Sequence, residues 1–137
     1  METQLQITKL DYQRLNNLIL SMKKKSKDDL VNLEVLENEI DRAKKVDPRK
    51  IKPEFVTMNS ELELIDLDSK RSMKFRLVYP EEADFRQGKL SVLSPLGSAL
   101  IGYRKGDEIS FRVPAGKKKV RIENILFQPE ASGEYAM

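Results

Sequence analysis

Residues 108–122 have the sequence EISFRVPAGKKKVRI, in which apolar and polar side chains alternate on both sides of Pro114-Ala115-Gly116. Alternation with a period of two is typical of a β-strand that has one buried face and one face in water. Proline and glycine in a short connection favour a turn, so the segment predicts a β-hairpin. Met73, Phe75 and Leu77 alternate with charged residues in the same way, and shorter alternating segments occur at 62–64 and 90–92.

One helix is expected to interrupt these strands. Ser94 is a favourable N-cap, Pro95 suits the first helical position and Gly102 suits the end of a helix. The residues between them are apolar enough to cover one face of a sheet. Residues 55–137 therefore predict a small domain of about five antiparallel strands with one covering helix.

The first 46 residues show a helical period instead. Thr8 with Asp11 three residues later resembles a capping box. Apolar residues then recur three or four positions apart in two segments, Leu15, Leu18, Ile19 and Met22 in the first and Leu30, Leu33, Leu36, Ile40 and Ala43 in the second. Because only a few residues separate the segments, the two helices are expected to run antiparallel, with their apolar stripes facing each other.

Two prolines, Pro48 and Pro53, end the helical pattern, since the residue before a proline is pushed towards extended geometry. The expected fold class is α+β: a short antiparallel coiled-coil hairpin over 1–46, a linker over 47–54, and an antiparallel sheet with one covering helix over 55–137.

Composition removes many classes of function. The 137 residues include no cysteine, histidine or tryptophan, which excludes disulfides, thiolate metal sites and a Ser-His-Asp triad. Carboxylate or lysine chemistry, or no chemistry at all, remains possible. Of these we predict the last, with no catalytic residue, no metal ligand and no cofactor. The longest apolar run is far below the ~20 residues of a membrane span, so no membrane partner is expected.

The net charge of +3 is mild and unevenly placed, because residues 1–52 carry 12 basic and 9 acidic side chains. A protein that binds duplex DNA usually has a denser basic face. The charge pattern is therefore not typical of a protein that reads duplex DNA.

Several segments resemble the bacterial GreA/GreB family of transcript-cleavage factors. The similarity lies in Val56-Thr57-Met58-Asn59-Ser60, Leu77-Val78-Tyr79-Pro80, the segment from Leu90 to Gly102, Lys105-Gly106-Asp107 and Val113-Pro114-Ala115-Gly116. The tail from Gln128 to Tyr135 and the segment 36–43 look more like the Rnk-type branch of that family. The resemblance covers nearly the whole chain and implies an FKBP-like C-terminal domain behind a coiled coil.

The resemblance implies bacterial RNA polymerase as the partner, bound at the rim of its secondary channel. It also implies contact with DNA only indirectly, through the polymerase. Ser94 and Pro95 match the family's polymerase-docking loop. Leu93 stands where some cleavage factors have an acidic residue, so a salt bridge at that point is not expected. On the residues alone, Ser94-Pro95 is also a common helix start, and the two roles are compatible.

In the cleavage factors, two acidic residues at the coiled-coil tip help to hold magnesium in the polymerase. The corresponding tip here comprises Lys25, Lys27, Asp28 and Asp29. A helix of about 16 residues gives an arm of only ~25 Å, which should end before the catalytic metal. The expected function is therefore that of a cytoplasmic, monomeric regulator that occupies the channel without stimulating cleavage and competes with longer Gre factors.

Three alternatives stay open on the sequence. The first is a genuine transcript-cleavage factor, and the second is a peptidyl-prolyl isomerase, which the FKBP-like shape invites although fold does not imply function. The third is a free nucleic-acid binder, whose affinity would fall steeply with salt.

Overall fold

The computed structural model describes residues 5–25, 30–114 and 116–133. Its elements are β1 Gln6–Thr8, α1 Lys9–Lys25, α2 Leu30–Arg42, β2 Lys44–Val46, β3 Glu61–Asp66, β4 Ser72–Val78, β5 Lys89–Ser91, α3 Pro95–Leu100, β6 Glu108–Val113 and β7 Gly116–Phe127, with short 3-10 helices at Pro80–Glu82, Phe85–Gln87 and Glu130–Ser132. The predicted fold class, a helical hairpin ahead of a sheet with one covering helix, is confirmed.

The five-stranded sheet has the order β5-β4-β3-β7-β6. The predicted hairpin is present, since β6 pairs with β7 from Glu108↔Arg121 to Val113↔Gly116. The expectation of a wholly antiparallel sheet was wrong, because β5 pairs with β4 in parallel. The ten residues between these strands form two 3-10 turns instead of a tight turn, and a connection of this length can return the chain to the start of the neighbouring strand.

The helical hairpin has the predicted seam. Five of its apolar residues are at most 1% exposed, namely Leu15, Ile19, Leu33, Leu36 and Ile40. Leu18 and Met22 are partly buried against the same cluster. The stripes therefore stabilise the helix pair by burial, which helices of 17 and 13 residues need because they are marginal alone.

A two-stranded parallel sheet at the base of the hairpin was not predicted. The strand β1 pairs with β2 through Gln6↔Lys44, Ile7↔Lys45 and Thr8↔Val46. Both strands are three residues long and adjoin the helices α1 and α2, so the helical pattern of the region predicted helices only. Thr8 has the predicted capping role, because its Oγ1 accepts a hydrogen bond of 3.0 Å from the Asp11 backbone N–H.

One continuous apolar core joins the hairpin to the sheet. It includes Ile40 from α2, Leu62 and Leu64 from β3, and Leu100 from α3, each at most 1% exposed. Because α2 and α3 are in contact, the hairpin is packed directly on the covering helix. In the described part of the chain, no helix has the length and apolar character needed to cross a membrane.

Candidate functional site

The start of α3 is held by a dense set of local hydrogen bonds. The Ser94 hydroxyl accepts a bond of 3.0 Å from the Gly97 N–H and donates one of 2.6 Å to the Ser91 carbonyl. The Ser98 hydroxyl donates to the Ser94 carbonyl at 2.8 Å. Pro95 occupies the first helical position and is exposed. The predicted docking pair therefore lies on a rigid turn and presents its proline outward.

Gly97 allows this turn to pack closely on the preceding strand. A Cβ atom at this position would lie 2.0 Å from the Ser91 carbonyl oxygen, far inside contact distance. Since that oxygen also accepts the Ser94 hydroxyl, any side chain at position 97 would displace the N-terminus of α3. The glycine thus fixes where Pro95 stands.

Pro95 lies between two apolar grooves. The first, of about 280 Å³, is bounded by Val35 of α2, by α3 and by Phe111 of β6. The second, of about 380 Å³, is bounded by Phe75, Phe85 and again Phe111. Phe85 is 73% exposed and packs on Phe75 with ring centroids 5.7 Å apart, while Val35 is 40% exposed. Large apolar side chains in this state are typical of an interaction surface.

Basic side chains border both grooves. Arg112 borders the two of them, Lys117 borders the first and Lys118 the second. Lys118 forms an ion pair of 3.5 Å with Asp66, whereas neither Arg112 nor Lys117 has a carboxylate partner within the described residues. We call Val35, Phe85, Ser94, Pro95, Phe111 and Arg112 the α3 surface.

Leu93 contributes to the structure of this region from the inside. Its side chain is partly buried against the core, and its N–H donates a hydrogen bond of 3.1 Å to the Ser91 hydroxyl. The structure thus places Ser94 and Pro95 at the α3 surface and turns Leu93 partly inward.

Of the predicted tip residues, Lys25 ends α1, while Lys27, Asp28 and Asp29 lie outside the described residues. Within the described ranges, no group of three or more Asp and Glu side chains is placed to hold a metal ion.

A buried polar cluster that the sequence did not indicate joins the hairpin to the sheet domain. The Asp11 carboxylate, 2% exposed, accepts a hydrogen bond of 3.0 Å from the Met58 N–H, 47 positions along the chain. Glu130 accepts a bond of 2.6 Å from the Thr57 hydroxyl. Asp11 was interpreted only as a helix-start residue, and no local pattern could reveal a partner so distant in sequence.

Burial changes the acidity of these groups. Loss of water raises the pKa of Asp11 to about 7, although the Met58 N–H partly opposes this. Burial also raises the pKa of Glu130, against the hydrogen bond from Thr57. Tyr79 has a raised pKa as well, because it is desolvated and faces Asp11, with Arg14 acting in the other direction. The contact between hairpin and domain is therefore sensitive to protonation.

The tail after β7 also has a structural role that was not foreseen. The Gln128 side-chain amide donates hydrogen bonds to the carbonyls of Lys52 at 2.9 Å and Phe55 at 2.8 Å. Together with the bond between Glu130 and Thr57, it ties the C-terminal segment to residues 52–57.

Comparison with known proteins agrees with this architecture. The family "Transcription elongation factor, GreA/GreB, C-term" matches residues 51–127, and the family "Rnk N-terminus" matches residues 3–46. A GreA/GreB transcription elongation factor from Nitrosomonas europaea has a similar structure, with a TM-score of 0.74 and 36% identity over 90% of this chain and 100% of that one.

Two relatives of known type are similar in sequence to this chain. The transcription elongation factor GreA of Thermodesulfovibrio yellowstonii is 35% identical over 96 residues, which are 70% of this chain but 61% of that protein. The regulator of nucleoside diphosphate kinase of Escherichia coli is 34% identical over 105 residues, which are 76% of this chain and 77% of that protein. The chain thus spans about three fifths of the GreA relative.

The C-terminal match covers more than half of the chain, and the N-terminal match covers the hairpin. The chain therefore belongs to the GreA/GreB family of bacterial transcription elongation factors, with the N-terminal region of its Rnk branch.

Proposed function

We propose that this chain binds bacterial RNA polymerase as a monomer in the cytoplasm, docks at the rim of the secondary channel, and does not stimulate transcript cleavage. In this role it competes with longer GreA/GreB factors for the same site. Family membership supports the polymerase as partner, and the α3 surface supports the mode of docking.

The observation that carries the proposal is the position of Pro95 between two apolar grooves. Val35, Phe85 and Phe111 supply apolar area that water would otherwise cover, and such exposed anchors are typical of the centre of a protein interface. Arg112 adds a positive charge at the border of both grooves. A complementary partner surface has apolar side chains with acidic neighbours.

The length of the hairpin supports the absence of cleavage. The helix α1 has 17 residues, which at 1.5 Å each gives an arm of about 25 Å. In the sequence, the tip acids are flanked by lysines, which weaken the negative field that a magnesium ion needs.

The test is transcript cleavage in a purified, backtracked bacterial elongation complex. A known cleavage factor is added at a fixed concentration and this protein is titrated in. We expect transcript cleavage to fall as the concentration of this protein rises, because both factors bind the same rim of the secondary channel. Cleavage by this protein alone would overturn the proposal, since the tip acids would then reach the metal.

An Arg112→Glu variant tests whether the α3 surface is the docking surface. Reversing an exposed charge beside the grooves should weaken docking at least about tenfold, because an acidic partner is then repelled. Arg71→Glu is the matched control, since Arg71 is also exposed and borders neither of the two grooves. Equal inhibition of cleavage by both variants and the parent protein would show that the chain docks through a surface other than the α3 surface.

A further inference from the structure

Five lysines surround one open cavity of about 420 Å³ at the base of the hairpin. They are Lys9, Lys44, Lys45, Lys50 and Lys52, and the rest of the lining is Gln6, Val46 and Asp47. We call the five lysines the basic pocket. It lies on elements that do not contribute to the two grooves of the α3 surface.

The small parallel sheet brings these lysines together. Lys9 begins α1 directly after β1, and Gln6 of β1 pairs with Lys44 of β2. The Lys44 N–H also donates a hydrogen bond of 2.9 Å to the Leu5 carbonyl. Lys9 and Lys44 are 35 positions apart, so counting charges along the chain could not reveal that they are neighbours.

The remaining lysines are held by the linker backbone. The Lys50 N–H donates a bond of 2.8 Å to the Asp47 carbonyl, which closes a turn. The Lys52 carbonyl accepts the Gln128 side-chain amide at 2.9 Å. The backbone of the basic pocket is therefore fixed while the lysine side chains keep their reach.

The positive charge of the basic pocket is not neutralised within the described residues. None of its five lysines has a carboxylate partner there. Lys45 donates to the Asp41 backbone carbonyl and lies over the Tyr12 ring at 4.7 Å from its centroid. Asp47 is the one acid in the lining, and its carboxylate accepts from the Arg49 N–H. Clustered cations of this kind concentrate anions near the surface.

The chemistry of the lining favours phosphates over an acidic protein. A protein interface of useful strength needs apolar or aromatic anchors at its centre, and Val46 is the sole apolar residue in this lining. Phosphate oxygens need only cations, and a lysine on a flexible stem binds them as a point charge.

The lining also favours a duplex over a single strand. Single-stranded nucleic acid is usually bound by stacking its bases on aromatic rings. Tyr12 is the aromatic residue next to the pocket, and its ring is already covered by Lys45. We propose that the basic pocket binds the phosphate backbone of duplex DNA, without base specificity and directly rather than through the polymerase.

The test measures the anisotropy of a short fluorescein-labelled DNA duplex titrated with the intact protein at several KCl concentrations, with no polymerase present. It is thus independent of the proposed docking. The variant is Lys9→Gln/Lys44→Gln/Lys50→Gln. It spares Lys45, which lies over the Tyr12 ring, and keeps Lys52 as a second remaining cation. We expect binding to weaken about tenfold or more at low salt. The slope of the logarithm of the binding constant against the logarithm of the KCl concentration should become less steep by about three.

A matched triple variant, Lys74→Gln/Lys105→Gln/Lys119→Gln, removes the same net charge from exposed lysines outside the pocket. It should keep nearly the parent affinity. Equal losses in both triple variants would overturn the proposal, because net charge alone would then explain binding. Absence of binding by the parent protein at low salt would overturn it as well.

Two competitors identify the anion. Unlabelled duplex should displace the probe, whereas polyglutamate at equal charge should compete poorly. If polyglutamate competes as well as DNA, the pocket is a site for acidic proteins and the proposal fails. It also fails if a single strand of the same length binds more tightly than the duplex. Both triple variants should melt at the parent temperature, since the substituted side chains are exposed.

Discussion

Single residues decide how the hairpin is fixed to the sheet domain. Asp11 lies in the first turn of α1, yet its carboxylate accepts from Met58 and faces Glu130, Arg14 and Tyr79. A buried carboxylate near a second acid is costly in its charged form. This one contact therefore makes the stability of the molecule depend on pH near neutrality.

Asp11→Asn should weaken that dependence. In the folded state the pKa of Asp11 is about 7, against an ordinary value of 3.8, so the folded protein binds this proton more tightly than the unfolded chain. The contribution of Asp11 to the free energy of unfolding is therefore most favourable at low pH. It declines as pH rises from about 4 to about 7, by about 2 kcal/mol between pH 5 and pH 7.

Urea unfolding from pH 5 to pH 8 measures how the free energy of unfolding changes with pH. The asparagine variant keeps an oxygen that can accept from Met58 and should show a flatter profile. The exposed Asp68→Asn serves as the control and should keep the parent slope. A parent protein whose stability is level or rises between pH 5 and pH 7 would show that Asp11 is already ionised there.

Within the single element α2, two adjacent residues have different roles, one in the hairpin seam and one on the surface. Leu36 is fully buried in the hairpin seam, whereas Val35 is 40% exposed and borders the first groove of the α3 surface. The same helix thus stabilises the hairpin on one side and extends the candidate docking surface on the other.

Arginine at each position separates these roles. Leu36→Arg places a charge in the seam and should lower the free energy of unfolding by about 3 kcal/mol or more. Val35→Arg should change it by less than about 0.5 kcal/mol, because its side chain can stay in water. In the cleavage-competition assay Val35→Arg should nevertheless weaken inhibition, since it alters the groove. Full inhibition of cleavage by a folded Val35→Arg protein would show that α2 is not part of the docking surface.

Elements with a clear period could be predicted from the sequence, and elements without one could not. The alternation around Phe75 and across 108–122 predicted β4, β6 and β7, and Ser94-Pro95 predicted the start of α3. The three-residue strands β1 and β2 carry no period, and the parallel pairing of β5 depends on the path of residues 79–88. The α3 surface was predicted in part, because Ser94 and Pro95 lie on it, whereas Phe85 and Val35 come from distant segments.

At the scale of the whole molecule, the chain is tied together by contacts between its distant parts. The C-terminal segment reaches residues 52–57 through Gln128 and Glu130, and α2 reaches the sheet domain through Arg42, whose guanidinium donates to the Tyr103 hydroxyl at 2.8 Å. Cutting one of these ties should therefore loosen the segments that it joins, while the central strands of the sheet stay paired.

Gln128→Met tests the tie between tail and linker. Methionine has nearly the same length, so packing is kept, but the Lys52 and Phe55 carbonyls lose their donor. Leaving such groups unpaired costs about 1–3 kcal/mol, which urea unfolding will show. Native-state hydrogen exchange should also quicken at Phe55 and Val56 while β3 keeps its protection. Asn124→Leu, which removes a partly buried amide bonded to Glu63, should cost less than about 0.5 kcal/mol. If Gln128→Met is as stable as the parent and exchange at Phe55 is unchanged, the tail does not hold the linker, and the core, Asp11 and Arg42 orient the hairpin without it.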